Sequence, residues 1–136
     1  GHGWTYSAHP ICAAAGVANL KLIDDLDLMA NARDVGAYLN KSMKEALGEH
    51  AQVGDVRGEG LLCAVELVED KTNTTFFDPN RKIGPSIVAA MFNKGVIARA
   101  MPQGDIIGFA PPFCITREEV DTVVSATVDA INSVLP

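Results

Sequence analysis

VGDVRGEGLLCAVELV, residues 53–68, decides the fold of this chain. Upstream of it apolar residues recur at helical spacing; inside it that period is lost. Val53 to Gly60 is a short extended piece punctuated by glycine, and Leu61 to Val68 is a strongly apolar strand. Glycines at 58 and 60 predict a tight bend, or a close backbone approach, between the two strand pieces.

Working toward the N-terminus, Pro10 suits the first turn of a helix, where its missing N–H costs nothing. Ile11, Ala15, Ala18, Leu22 and Leu26 follow at helical spacing, and the helix is expected to run to about Ile23 before Asp24-Asp25 interrupts it. A second helix is predicted over 28–47, with Ala32, Val35, Leu39, Met43 and Leu47 on one face and Gly48 after it. Working toward the C-terminus, residues 69–82 are polar, with Asp78-Pro79-Asn80 as a turn. A third helix is expected over 83–93, with Ile87, Val88 and Met91 inward. Strands follow at 96–100 and 106–110, the second ended by Pro111-Pro112. Thr116-Arg117-Glu118-Glu119 is a capping box, and Val120, Val123, Val124, Val128, Ile131 and Leu135 form the apolar face behind it. Short turns between the strands predict an α+β domain: a small, mostly antiparallel sheet with helices packed on one face.

The 136 residues suffice for one domain with a real core, and 48% hydrophobic with 21% charged residues argues against disorder. A net charge of -6 disfavours nonspecific binding to nucleic acid or to anionic lipid, so neither a nucleic-acid nor a membrane partner is expected. No apolar run reaches membrane-spanning length, and no signal peptide opens the chain. Cys12, Cys63 and Cys114 lie far apart, with no C-x-x-C pair and no histidine at zinc spacing. Three reduced, mostly buried thiols in a cytoplasmic protein are expected, with no metal site.

Several residues invite chemistry. GHGWTYSAHP, residues 1–10, sets glycines beside three successive hydroxyls, and reads less like a domain start than like a functional loop cut in the middle. Thr5 beside free backbone N–H groups is a plausible phosphate contact. Residues alone favour the plainer reading, a solvated tail. In VIARAM, strand alternation puts Val96, Ala98 and Ala100 on one face and Ile97 and Arg99 on the other. An arginine at a strand end can clamp a carboxylate with two parallel hydrogen bonds; an arginine snorkelling at a sheet edge explains the same pattern. Arg57 and Glu66 suggest a structural ion pair, and His9 a packing or capping residue. The lysines at 21, 41, 44, 71, 82 and 94 fall on helix surfaces or turns, without the desolvated setting of a Schiff-base lysine.

Three segments, taken in order, resemble class III aminotransferases, pyridoxal-phosphate enzymes of fold type I. GHGWTYSAHP is similar to their H-G-aromatic-T-Y-S-G-H-P segment, with Ala8 in place of the glycine. VRGEGLLCAVELVEDK is similar to their V-R-G-x-G-L-x-x-x-x-E-L-V-x-D-K region. KGVIARAMPQGDIIGFAPPFCITREEVD is similar to their closing block, with Phe113 for the common Leu and a longer Met101-Pro102-Gln103 connection after Arg99. The subgroup it most resembles comprises the omega-amino acid or amine:pyruvate transaminases.

The resemblance implies a division of the chain. Residues 1–9 would be an interface loop belonging to a large domain that is missing here, and residues 10–136 the C-terminal small domain with its leading linker helix. In the family this loop reaches the cofactor phosphate of the other subunit, so Thr5 would give a hydroxyl and an N–H to pyridoxal phosphate, and Trp4 a wall or backbone contact. Arg99 matches the mobile arginine that pairs with a substrate carboxylate. The family's Schiff-base lysine, the aspartate for the pyridine nitrogen, the stacking aromatic and the glycine-rich phosphate loop all lie upstream. The chain alone is therefore expected to be inactive, and its parent to be a homodimer moving an amino group from an amine or omega-amino acid donor to a keto acid such as pyruvate. A different class of reading is a stand-alone α+β binding or assembly module. It predicts a disordered opening and a merely superficial Arg99; the fragment reading predicts an exposed apolar area.

Overall fold

The computed structural model describes residues 3–135. Its elements follow in the order α1 (Pro10–Asp25), α2 (Leu28–Leu47), β1 (Val53–Glu59), β2 (Leu62–Leu67), α3 (Ile83–Phe92), β3 (Arg99–Ala100), β4 (Asp105–Phe109) and α4 (Arg117–Val134). The four strands form one sheet in the order β1-β2-β4-β3, and every neighbouring pair is antiparallel. Helices α2, α3 and α4 pack on one face, as the α+β expectation required.

The inward rows of the sheet explain the core. Val56, Val65 and Ile107 are cross-strand partners and all are buried; so are Cys63 and Phe109 in the next inward row. Val35, Leu39, Met43 and Leu47 of α2, Ile83, Ile87 and Met91 of α3, and Val120 and Ile131 of α4 close over them. Helix α4 lies between α2 and α3, so its buried stripe is broader than the valine pattern suggested. Ala126, Thr127 and Ala130 are buried too, with the Thr127 hydroxyl donating to the Val123 carbonyl at 2.7 Å. The capping box is present: the Glu119 N–H donates to Thr116 Oγ1 at 3.3 Å, and the Thr116 N–H to Glu119 Oε2 at 2.9 Å.

The β1–β2 connection turns at Gly60, whose φ of +54° is the left-handed value glycine adopts freely. A side chain at Gly58 would overlap Asn40 and the Leu62 carbonyl, so the predicted close approach is real, and one of its partners is α2. Asn40 fastens the same place, donating from Nδ2 to the carbonyls of Gly36 at 2.9 Å and Gly60 at 2.8 Å.

Three expectations are corrected. Helix α1 continues through Asp24-Asp25, because these carboxylates sit at a solvent-facing C-terminal turn and Lys21 pairs with Asp25 at 3.1 Å. Strand β3 holds only Arg99 and Ala100, not residues 96–100. Val96 is held instead by the end of α3, its N–H donating to the Met91 carbonyl at 3.1 Å, and β4 itself ends at Phe109. The thiols are not mostly buried: only Cys63 is, since Cys12 lies on α1, which buries no residue, and Cys114 on the open loop after Pro112.

Candidate functional site: the open face of the sheet

The face of the sheet away from the helices carries the charged chemistry. Arg57 pairs with Ala64, Ala64 with Gly108, and Gly108 with Arg99, so these residues form one row across all four strands. Side chains in such a row project from the same face. Two arginines therefore stand at opposite edges, about 14 Å apart at roughly 4.8 Å per strand, over a floor of the two smallest side chains. Both line an open groove of about 920 Å³, together with Leu62, Ile97, Met101 and Ile106.

The two arginines differ in their surroundings. Arg57 Nη1 donates to Glu66 Oε2 at 2.6 Å and to Asp55 Oδ2 at 2.9 Å. The hydrogen bond to Asp55, then that to Glu66, raises its pKa above the ordinary arginine value, so its charge is locked in. The expected structural pair with Glu66 is present. Asp55 was missed, although it stands two residues before Arg57 on the same face and opposite Glu66 in the regular ladder, so strand alternation was the signal that could have found it. Arg99 makes no ion pair and no side-chain hydrogen bond among the described residues, and it is exposed. Alternation across 96–100 is as expected: Val96 is buried, whereas Ile97 is 85% exposed on the arginine side.

The opening loop is a turn of its own. The Ser7 N–H donates to the Trp4 carbonyl at 2.9 Å and the His9 N–H to the Tyr6 carbonyl at 3.1 Å. Tyr6 and Ala8 take left-handed φ values of 64° and 59°. Ala8 thus occupies a conformation glycine would hold without strain. Trp4 is 75% exposed, and Thr5 is exposed beside it. His9 is the N-cap of α1, but its side chain makes no capping bond. Gly1 and His2 lie outside the described residues. None of residues 3–9 lines the Arg99 groove, so the structure does not bring Trp4 and Thr5 together with Arg99.

All six lysines are exposed. Lys21, Lys41 and Lys94 pair with Asp25, Glu45 and Asp129, and Lys71 donates to the Gly48 carbonyl. No group of three or more His, Cys, Asp or Glu among the described residues could hold a metal ion. No helix among them is long and apolar enough to cross a membrane.

Known proteins are similar along nearly the whole chain. The diaminobutyrate–2-oxoglutarate transaminase of Halomonas elongata is 52% identical over 134 residues, covering 98% of this chain and 29% of its own length. A transaminase from directed evolution by ancestral reconstruction superposes with a TM-score of 0.94 at 55% identity, over 98% of this chain and 29% of that one. A thermostable (S)-enantioselective omega-transaminase from Thermomicrobium roseum superposes at 0.91 with 41% identity, over 99% and 30%. The chain spans under a third of the length of these relatives. Residues 1–131 match the family aminotransferase class-III, and the chain, carrying the fold and the three motif segments in order, belongs to that family.

Proposed function

We propose that this chain is the C-terminal part of a cytoplasmic, homodimeric, pyridoxal-phosphate-dependent aminotransferase, and that Arg99 receives the carboxylate of its keto acid acceptor. The donor would be an amine or omega-amino acid, and the acceptor a small keto acid such as pyruvate. One observation carries the reading: of two arginines in a single cross-strand row, Arg57 is held by two carboxylates while Arg99 has its guanidinium uncommitted above the open groove. A planar guanidinium without a partner is the group that binds a carboxylate through two charge-assisted hydrogen bonds.

The residues present fit one end of the cofactor. The exposed Thr5 hydroxyl can donate to a phosphate oxygen, and the exposed Trp4 can wall it. Residues 1–9 would act there as an interface loop serving the partner subunit, with residues 10–136 as the small domain. The aldehyde end needs a desolvated lysine, and all six lysines here are solvated. When bound, the cofactor supplies the electron sink for amino-group transfer. This chain orients the acceptor and holds the phosphate, and on its own it is inactive.

The test is steady-state kinetics on the full-length protein. Arg99→Ala should raise KM for pyruvate by roughly tenfold to a hundredfold, the loss of a bidentate charged pair, while KM for a carboxylate-free amine stays within about twofold. An unchanged pyruvate KM sinks the assignment. A chain that folds, stays monomeric and serves no amino transfer even when joined to its full length would favour the binding-module reading.

A further inference from the structure

We propose that Asp105 is the positioning residue for Arg99; this rests on the carboxylate-binding reading of that arginine. Strand β3 is two residues long and lies at the sheet edge, so it cannot hold Arg99 by itself. Its ladder is Arg99 with Gly108, Ala100 with Ile107, and the Met101 N–H donating to the Ile106 carbonyl at 2.8 Å. Beyond that, residues 101–104 form an exposed turn whose last member, Gly104, has a φ of +67°.

The turn is moored at Asp105. This side chain shares the inward alternation of Ile107 and Phe109, so it points toward the helices rather than the groove. A half-buried carboxylate there requires a donor. It finds one in α3: the Gly84 N–H donates to Asp105 Oδ1 at 2.8 Å, across 21 positions of sequence. Helix α3 needs that acceptor equally. Its N-cap, Lys82, offers no capping bond, and Pro85 in its first turn has no N–H. The negative charge also faces the positive end of the helix dipole. Contact is close on both sides of the hairpin: a methyl at Gly84 would lie 3.4 Å from Asp105 Oδ1 and 3.8 Å from Ala100 Cβ. Ala100 is the neighbour of Arg99. The first turn of α3 thus fixes the strand that carries the guanidinium, through a carboxylate that never touches the ligand.

The experiment is a comparison of Asp105→Ala, Asp105→Asn and Arg99→Ala in the full-length protein, reading acceptor and donor constants separately. Asp105→Ala should raise the pyruvate KM about tenfold, leaving the KM of a carboxylate-free amine donor within about twofold. Asp105→Asn keeps the acceptor oxygen and should restore the pyruvate KM to within about threefold of wild type. If Asp105→Ala does not fold, Gly84→Val is the second probe; its Cβ would already be in van der Waals contact with Oδ1 at 3.4 Å, so the added methyls displace the carboxylate, and the pyruvate KM should rise about threefold. A pyruvate KM that moves with Arg99→Ala but not with the Asp105 or Gly84 variants overturns this proposal alone. A pyruvate KM indifferent to Arg99→Ala overturns the arginine's role and this proposal with it. A rise in both KM values together, or a fall in thermal stability alone, marks Asp105 as merely structural and overturns the proposal.

Discussion

Cys63 occupies an inward position of β2, and burial there pushes its thiol up to about 11. At pH 8 it is therefore neutral, and a neutral thiol is a poor nucleophile. Cys12 and Cys114 are exposed. A colorimetric thiol reagent at pH 8 should modify two thiols in the native chain and three after denaturation. Reaction of all three under native conditions would contradict the packing of β2. The linkage has a definite sign. The folded pKa is raised, so Cys63 contributes stability below the unfolded thiol value near 9, and that contribution is lost as pH rises toward about 11. At this scale the sequence was readable where one local rule sufficed, as for the alternation that turns Arg99 outward. It was silent on Asp105, because that residue acquires its role from a backbone N–H of a remote helix.

Among the elements, α4 has the most legible start. Thr116 and Glu119 satisfy each other's backbone N–H groups at 2.9 and 3.3 Å, leaving the first turn capped from within. Thr116→Ala should cost about 1 kcal/mol of stability, measured as a lowered urea midpoint at unchanged slope. A smaller loss than a few tenths would mean that the loop before α4 supplies another acceptor. That loop is itself anchored: Asn31 Nδ2 donates to the carbonyls of Phe113 at 2.6 Å and Ile115 at 3.1 Å. Element order and type were legible throughout, because each helix has its own period and each strand its own punctuation. Strand length was not. The extent of β3 depends on its neighbours: the Met91 carbonyl at the end of α3 takes the Val96 N–H, and β4 ends at Phe109.

For the molecule as a whole, the uneven distribution of apolar surface matters most. Helix α1 buries none of its residues, and Ile11, Val17, Leu20, Leu22 and Leu26 are all exposed. A helix with this much exposed apolar surface is normally covered. The isolated chain should therefore self-associate at concentrations where a version beginning at residue 27 stays monomeric, as read by light scattering. Equal behaviour of the two would mean that α1 folds back onto the domain in solution. Periodicity marked this helix as apolar without saying what meets its face; the exposed apolar area was to be expected only on the fragment reading.

The twist of the sheet adds one more consequence. Adjacent strands rotate by roughly 20–25° with fixed hand, so three steps from β1 to β3 turn the edge strands by about 60–75° relative to each other. The open face is then a saddle rather than a plane. Arg57 and Arg99 share its cross-strand row at opposite rims, one bound to two carboxylates and the other to none among the described residues. An acidic molecule in that groove therefore meets one guanidinium already neutralised by two carboxylates and one still free to pair, so the saddle favours a single carboxylate seated at its Arg99 rim.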